Sequence, residues 1–134
     1  MSFKLKISIL ASLMLLTFIG CGTGAVYNVP SQPVVANNAE KAVEDKDVYK
    51  AIVRAGAGLG WNVKKIKSGV AEASLHLRTH LAIVTINYSA TDYSITYKTS
   101  INLNYDEATK KIHTNYNGWI QNLDRAIKTQ LTLI

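Results

Sequence analysis

The chain predicts a two-layer α+β domain, a four-stranded antiparallel meander with an N-terminal and a C-terminal helix packed on one face. Three patterns predict it. Residues 93–105 alternate Tyr93, Ile95, Tyr97, Thr99, Ile101, Leu103 and Tyr105 with Ser94, Thr96, Lys98, Ser100, Asn102 and Asn104. That period of two marks a strand with one buried and one wet face. Residues 115–131 set Tyr116, Trp119, Ile120, Leu123, Ile127 and Leu131 on one helical stripe. The full order reads α-β-β-β-β-α with short connections, so neighbours in sequence become neighbours in the sheet.

The first helix is expected over 39–57, where Ala42, Val43, Val48, Ala51, Ile52 and Ala55 recur at spacings of three and four. Asp45 or Asp47 offers an N-cap, and Gly56, Gly58 and Gly60 end it. The glycine spacing is that of a phosphate loop, but no strand precedes it and no Lys-Ser/Thr follows, so helix termination is the reading. Strands then follow at 61–66, 70–77 and 81–88, the second alternating Ala71, Ala73, Leu75 and Leu77 with Glu72, Ser74, His76 and Arg78. The third is rich in β-branched Ile83, Val84, Thr85 and Ile86. Lys67-Ser68-Gly69, Arg78-Thr79 and Ser89–Asp92 are the turns, and 110–112 is a short return strand. In the last helix Asp124 and Lys128 lie off the apolar stripe and are expected in solvent.

Before the domain, residues 22–38 contain both prolines, Pro30 and Pro33, among Ser, Asn and Gly, the composition of an extended linker. Val34 and Val35 offer at most a short edge strand. Earlier still, Lys4 and Lys6 precede an apolar run from Ile7 to Ile19 and then Gly20-Cys21-Gly22. The run is thirteen residues long, shorter than the roughly 20 that cross a bilayer as a helix, and suits a secretory signal. Cys21 is the single cysteine, so no disulfide forms within the chain.

Thr17-Phe18-Ile19-Gly20-Cys21 resembles the lipobox of bacterial lipoproteins, Leu-(Ala/Ser)-(Gly/Ala)-Cys, matching at Gly20 and Cys21 and departing at Phe18 and Ile19. The resemblance implies cleavage before Cys21 and an S-diacylglycerol there, with or without a further N-acyl chain. It implies no other cofactor. Two or three acyl chains hold a protein stably at a membrane, whereas one does not. Gly22 in place of Asp after the cysteine favours the outer membrane over the inner, with the domain in the periplasm or exposed at the cell surface. The organisation expected is therefore a signal over 1–20, a lipidated flexible tether over 21–38 and one α+β domain over 39–134.

Charge and motifs narrow the function classes. The net charge is +6, or +4 once Lys4 and Lys6 leave with the signal, and the excess lies at Lys64, Lys65, Lys67, Lys110 and Lys111. A mild basic surface suits anionic head groups or cell-wall polymer, and a secreted chain has no call on nucleic acid. His76 and His80 straddle the Arg78-Thr79 turn and point to opposite sides of the sheet, so they make no metal pair, and no acidic or Cys ligand is close in sequence. No Gly-x-Ser-x-Gly elbow exists; a grouping of Ser89, Asp92 and His113 is the weak candidate for a hydrolase. A non-enzymatic protein is the reading.

The stretch Tyr88-Ser89, Tyr93-Ser94-Ile95, Tyr97, Ser100, Asn102-Leu103, Tyr105, then Ile112-His113, Tyr116-Asn117, Trp119-Ile120 and Asn122-Leu123 is similar to a group of small proteobacterial lipoproteins of about this length. The likeness covers roughly residues 47–131 and implies one small domain behind a lipobox, with no catalytic residue to transfer. Tyr97, Ser100, Asn102, Asn117 and Trp119 are the candidate binding residues. The partner expected is an envelope protein or cell-wall polymer met at the sheet or helix rim. The alternative is a small-ligand carrier, its pocket between sheet and helices lined by Tyr97, Ile101 and Trp119. Asn117 and Asn122 also have a structural reading, tying the last helix to the sheet through backbone hydrogen bonds.

Overall fold

The computed structural model describes residues 22–38 and 40–134. The signal segment, Cys21 and Ala39 lie outside the described residues. In chain order the elements are β1 (Thr23–Ala25), β2 (Val29–Pro33), α1 (Asp45–Gly58), β3 (Trp61–Lys67), β4 (Val70–Leu77), β5 (His80–Tyr88), β6 (Asp92–Ile101), β7 (Lys111–His113) and α2 (Thr114–Leu131).

The meander is present as β3-β4-β5-β6, all antiparallel, but the sheet has a fifth strand, giving the order β2-β6-β5-β4-β3. The expected return strand does not rejoin it: β7 pairs instead with β1 in a separate two-stranded sheet. Both additional strands come from the segment expected as a flexible tether. The outer edge of β6 offers unpaired backbone groups, and β2 takes them up, with Val29 opposite Ile95 and Gln32 opposite Tyr93. Val29 is buried by this pairing. Pro30 and Pro33 are tolerated because an edge strand needs hydrogen bonds on one side only.

Alternation in β4 and β5 turns Ala71, Ala73 and Leu75 and Ala82, Val84 and Ile86 toward both helices. Across the strands the small residues meet large ones, Ala71 opposite Ile86 and Ala73 opposite Val84, so the face stays level and the helices settle close. Gly56 serves the same end. A Cβ there would lie 2.7 Å from Val63 Cγ2, so this glycine sets how closely α1 meets β3. It is buried inside α1, which runs on to Gly58; Gly60, at φ +84°, makes the turn out. At its other end α1 begins at Asp45 rather than at 39, beside the two expected caps, but the N-cap is Glu44, whose N–H the Asp47 carboxylate accepts at 3.1 Å.

β6 departs from simple alternation. Tyr97 pairs with Val84 but Thr99 pairs with Ile83, so Lys98 is an extra residue, a bulge. Beyond it the faces exchange. Ser100, opposite Ala82, turns to the helix side, while Thr99 and Ile101 turn to the open face, and Ile101 is 59% exposed. The single seven-residue apolar face expected over 93–105 therefore ends at Tyr97. The strand itself ends at Ile101, where Asn102 enters the left-handed region at φ +58°.

Asp124, expected in solvent, is the one buried charged residue among those described. It accepts a hydrogen bond from the Tyr93 hydroxyl at 2.6 Å and one from Lys128 Nζ at 2.8 Å. The contact joins α2 to β6 through the core. Hydrogen bonds to a charged group contribute about 1.5–3 kcal/mol, so Tyr93→Phe is expected to lower unfolding free energy by that amount in urea titration while leaving the far-ultraviolet circular dichroism unchanged. Burial, reinforced at Tyr93 by Asp124, holds the Tyr93 phenol far above its ordinary value, and burial does the same at Tyr116. The unfolded chain releases these protons near pH 10 while the fold keeps them, so stability falls as pH rises above about 10. Thermal melts at pH 9 and 11, with phenolate absorbance followed at 295 nm, check that direction.

A candidate binding cleft at the end of β6

From Tyr97 the chain runs to Ile101, reverses through Asn102 and Asn104, both with positive φ (58° and 51°), and returns to lay Tyr105 on Tyr97. Asn tolerates the left-handed region better than other non-glycine residues, which explains its use at both corners. The reversal is pinned from three sides. Asn102 Nδ2 donates to Thr79 Oγ1 at 2.7 Å, the Asn102 carbonyl accepts from His80 Nδ1 at 2.7 Å, and the Leu103 carbonyl accepts from the His113 N–H at 2.8 Å. Asp106 then caps the next turn by accepting from the N–H groups of Ala108 and Thr109.

The reversal encloses an open cleft of about 470 Å³ lined by residues 97–100, 102–105 and Glu107. Its wall is an aromatic stack. The Tyr97 and Tyr105 rings lie 4.2 Å apart at 30°, and buried Tyr116 meets Tyr97 edge-on at 5.7 Å and 78°. Tyr97 shares a 2.9 Å hydrogen bond with Ser100, brought to the same face by the bulge. The Tyr105 hydroxyl donates to Glu107 at 2.8 Å, and Lys110 also pairs with Glu107. The Lys110 ammonium, then the Tyr105 hydroxyl, hold the Glu107 carboxyl below the usual range.

Of the candidate binding residues, Tyr97, Ser100 and Asn102 come together in this cleft. Asn117 does not. Its side chain accepts the Tyr27 N–H and donates to the Ala25 carbonyl, both at 2.9 Å, and so clamps the β1–β2 connection to the first turn of α2. Trp119 lies half-buried elsewhere, in a hollow of about 60 Å³ with Leu59, Trp61, Leu75 and Asn122. Asn122 bonds only Arg125 on its own helix. The carrier pocket of Tyr97, Ile101 and Trp119 is not formed, because the bulge puts Ile101 on the opposite face of the sheet from Tyr97. Lys98, Thr99, Leu103, Asn104, Tyr105 and Glu107 are the cleft residues that sequence reading passed over as site residues. The signal for them is Asn-x-Asn after a long strand, which marks a reversal rather than continued alternation.

The other sites resolve into local roles. Leu77 faces His80 across the Arg78-Thr79 turn and His76 faces Leu81, so the two histidines point to opposite sides. Ser89 Oγ donates to Asp92 at 2.8 Å and accepts from the N–H groups of Thr91 and Asp92 within its turn. His113 Nδ1 accepts from the Asn115 N–H at the start of α2. Lys64, Lys65 and Lys67 line the outer edge strand, where charge discourages strand addition. No helix among the described residues is long and apolar enough to cross a membrane.

No family model, curated protein or solved structure matches the chain. The clamp is open to direct measurement. Asn117→Ala removes both hydrogen bonds and is expected to cost about 1–2 kcal/mol. Hydrogen exchange should quicken over residues 23–27 and stay slow over 120–127. Unchanged exchange at Tyr27 would contradict the clamp.

Proposed function

We propose that this chain is a non-enzymatic lipoprotein of a bacterial envelope, tethered to the outer membrane by a diacylglycerol on Cys21, whose periplasmic domain binds an envelope protein or polymer. The membrane, through the lipid, is its first partner. The anchor rests on Lys4, Lys6, the apolar run and Gly20-Cys21. The binding part rests on one observation: Tyr97, Ser100 and Asn102 converge on an open cleft with Tyr105, at the end of β6. A cleft of about 470 Å³ falls within the range of about 300–1,000 Å³ in which proteins hold small molecules or one segment of a larger partner.

Two measurements test the reading. Radiolabelled palmitate should appear on the wild-type chain and not on Cys21→Ser; equal labelling of both would refute the anchor. A photo-crosslinking residue at Glu107, exposed on the cleft wall, should capture an envelope component in living cells, and one at Lys64 on the far edge should not. Capture of nothing at Glu107, or of the same species from both positions, would refute the cleft as the binding surface.

A further inference from the structure

Charge, shape and hydrogen-bonding capacity together restrict what the cleft holds. Two charged residues line it, and each is neutralised from outside: Lys98 pairs with Glu72 on β4, and Glu107 pairs with Lys110. A charged ligand finds no unpaired counter-ion on these two side chains, whereas a neutral one needs none. The remaining surface combines the Tyr97–Tyr105 stack with hydroxyl and amide groups of Ser100, Asn102 and Asn104. Ser100 is shared with Tyr97 and the Asn102 amide with Thr79, whereas among the described residues the Asn104 side chain has no hydrogen-bond partner, so its donors and acceptor are available to a ligand.

The cleft also borders an unpaired stretch of backbone, since β2 covers β6 only as far as Ile95. An added peptide strand is one candidate occupant of such an edge. The local backbone opposes it. The extra residue at Lys98 breaks the regular spacing of edge groups, and the Tyr97 N–H is already taken by the Asn28 side chain at 2.9 Å. A bulge of this kind is a common defence against strand addition.

We infer that the 97–107 cleft binds a neutral saccharide, with the Tyr105 ring, backed by Tyr97, against the carbon–hydrogen face of a sugar ring and the Ser100 and Asn104 side chains on its hydroxyls. A pyranose ring has both surfaces that this cleft complements, an apolar face and a rim of uncharged donors and acceptors. The inference rests on the cleft being the binding surface and names the polymer rather than the protein as its partner.

The test is calorimetric titration of the full chain in neutral detergent with four probes: chitotetraose, maltotetraose, a heparin-derived tetrasaccharide and a short uncharged peptide. Binding of at least one neutral tetrasaccharide is expected, weakened about tenfold or more by Tyr105→Ala. Asn104→Gly, which keeps the backbone at positive φ while removing the amide, should weaken it as well and covers the event that Tyr105→Ala misfolds. Lys64→Ala, on the far edge strand, should leave it unchanged. Binding of no neutral saccharide, or equal binding by wild type, Tyr105→Ala and Asn104→Gly, would overturn the inference. Cleft-dependent binding of the polyanion or the peptide alone would overturn the ligand class while leaving the cleft as a binding surface, and acyl labelling of Cys21 is independent of all these results.

Discussion

At Tyr97 and Lys98 two residues of β6 stand opposite the single residue Val84 of β5, and the strand exchanges its faces there. Most of what distinguishes this domain from a plain meander depends on that extra residue. It brings Ser100 to the helix side, within 2.9 Å of the Tyr97 hydroxyl, and sends Ile101 into solvent. It also ends regular pairing along the outer edge, where Asn28 substitutes a side-chain oxygen for the missing backbone carbonyl. Without the exchange of faces, Ser100 would lie on the open side of the sheet, away from the Tyr97–Tyr105 stack. Asn28 thereby ties the segment ahead of the domain to the geometry of the cleft.

The helix layer is fixed by a different balance. Alanines at 71, 73 and 82 leave little side-chain volume on the sheet face, so much of the filling comes from Ile52, Ile120, Leu123 and Ile127 on the helices. Such a surface is smooth and carries little information about how far α2 is rotated or slid. The Tyr93–Asp124–Lys128 network supplies that information, because a buried carboxylate has few positions in which it is satisfied. In the native register the Asp124 carboxylate meets Tyr93 as well as Lys128 of its own helix, and a helix shifted by one residue would keep Lys128 and lose Tyr93. Specificity of packing here comes from one polar contact set in an otherwise permissive interface.

Those two features explain what the amino-acid sequence disclosed. Strands over 70–77 and 81–88 and the stripe of α2 were legible because each residue there answers to one rule, burial on alternate or on every third to fourth position. The β2 pairing was hidden because only Val29 carries the burial, and Pro30 and Pro33 read as linker. Asp124 was misjudged because its charge is answered by Tyr93, 31 residues earlier in the chain. The bulge left no mark in the alternation itself: Thr99, Ile101 and Leu103 continue the period that the backbone abandons. A third of the candidate site, three of its nine lining residues, was therefore found by the wrong route. Tyr97, Ser100 and Asn102 were singled out as a polar and aromatic pattern, while the chain reversal that unites them showed only in the paired asparagines.

The Gly22 carbonyl accepts the Thr114 N–H at 3.1 Å, and Thr23 is already paired with His113. A flexible linker of 17 residues would have let the domain wander by roughly 20–25 Å from its point of attachment. With Gly22 itself paired to the fold, the slack between it and residue 21 is about one peptide unit, under about 4 Å. A load applied at residue 21 would act on the domain as a hinge pin acts on a door. Tension there would pass into the β1–β7 pairing and the first turn of α2, where Asn117 sits, instead of being absorbed by loose chain. Under the proposed anchor at Cys21, the height and tilt of the cleft would be set by the fold itself.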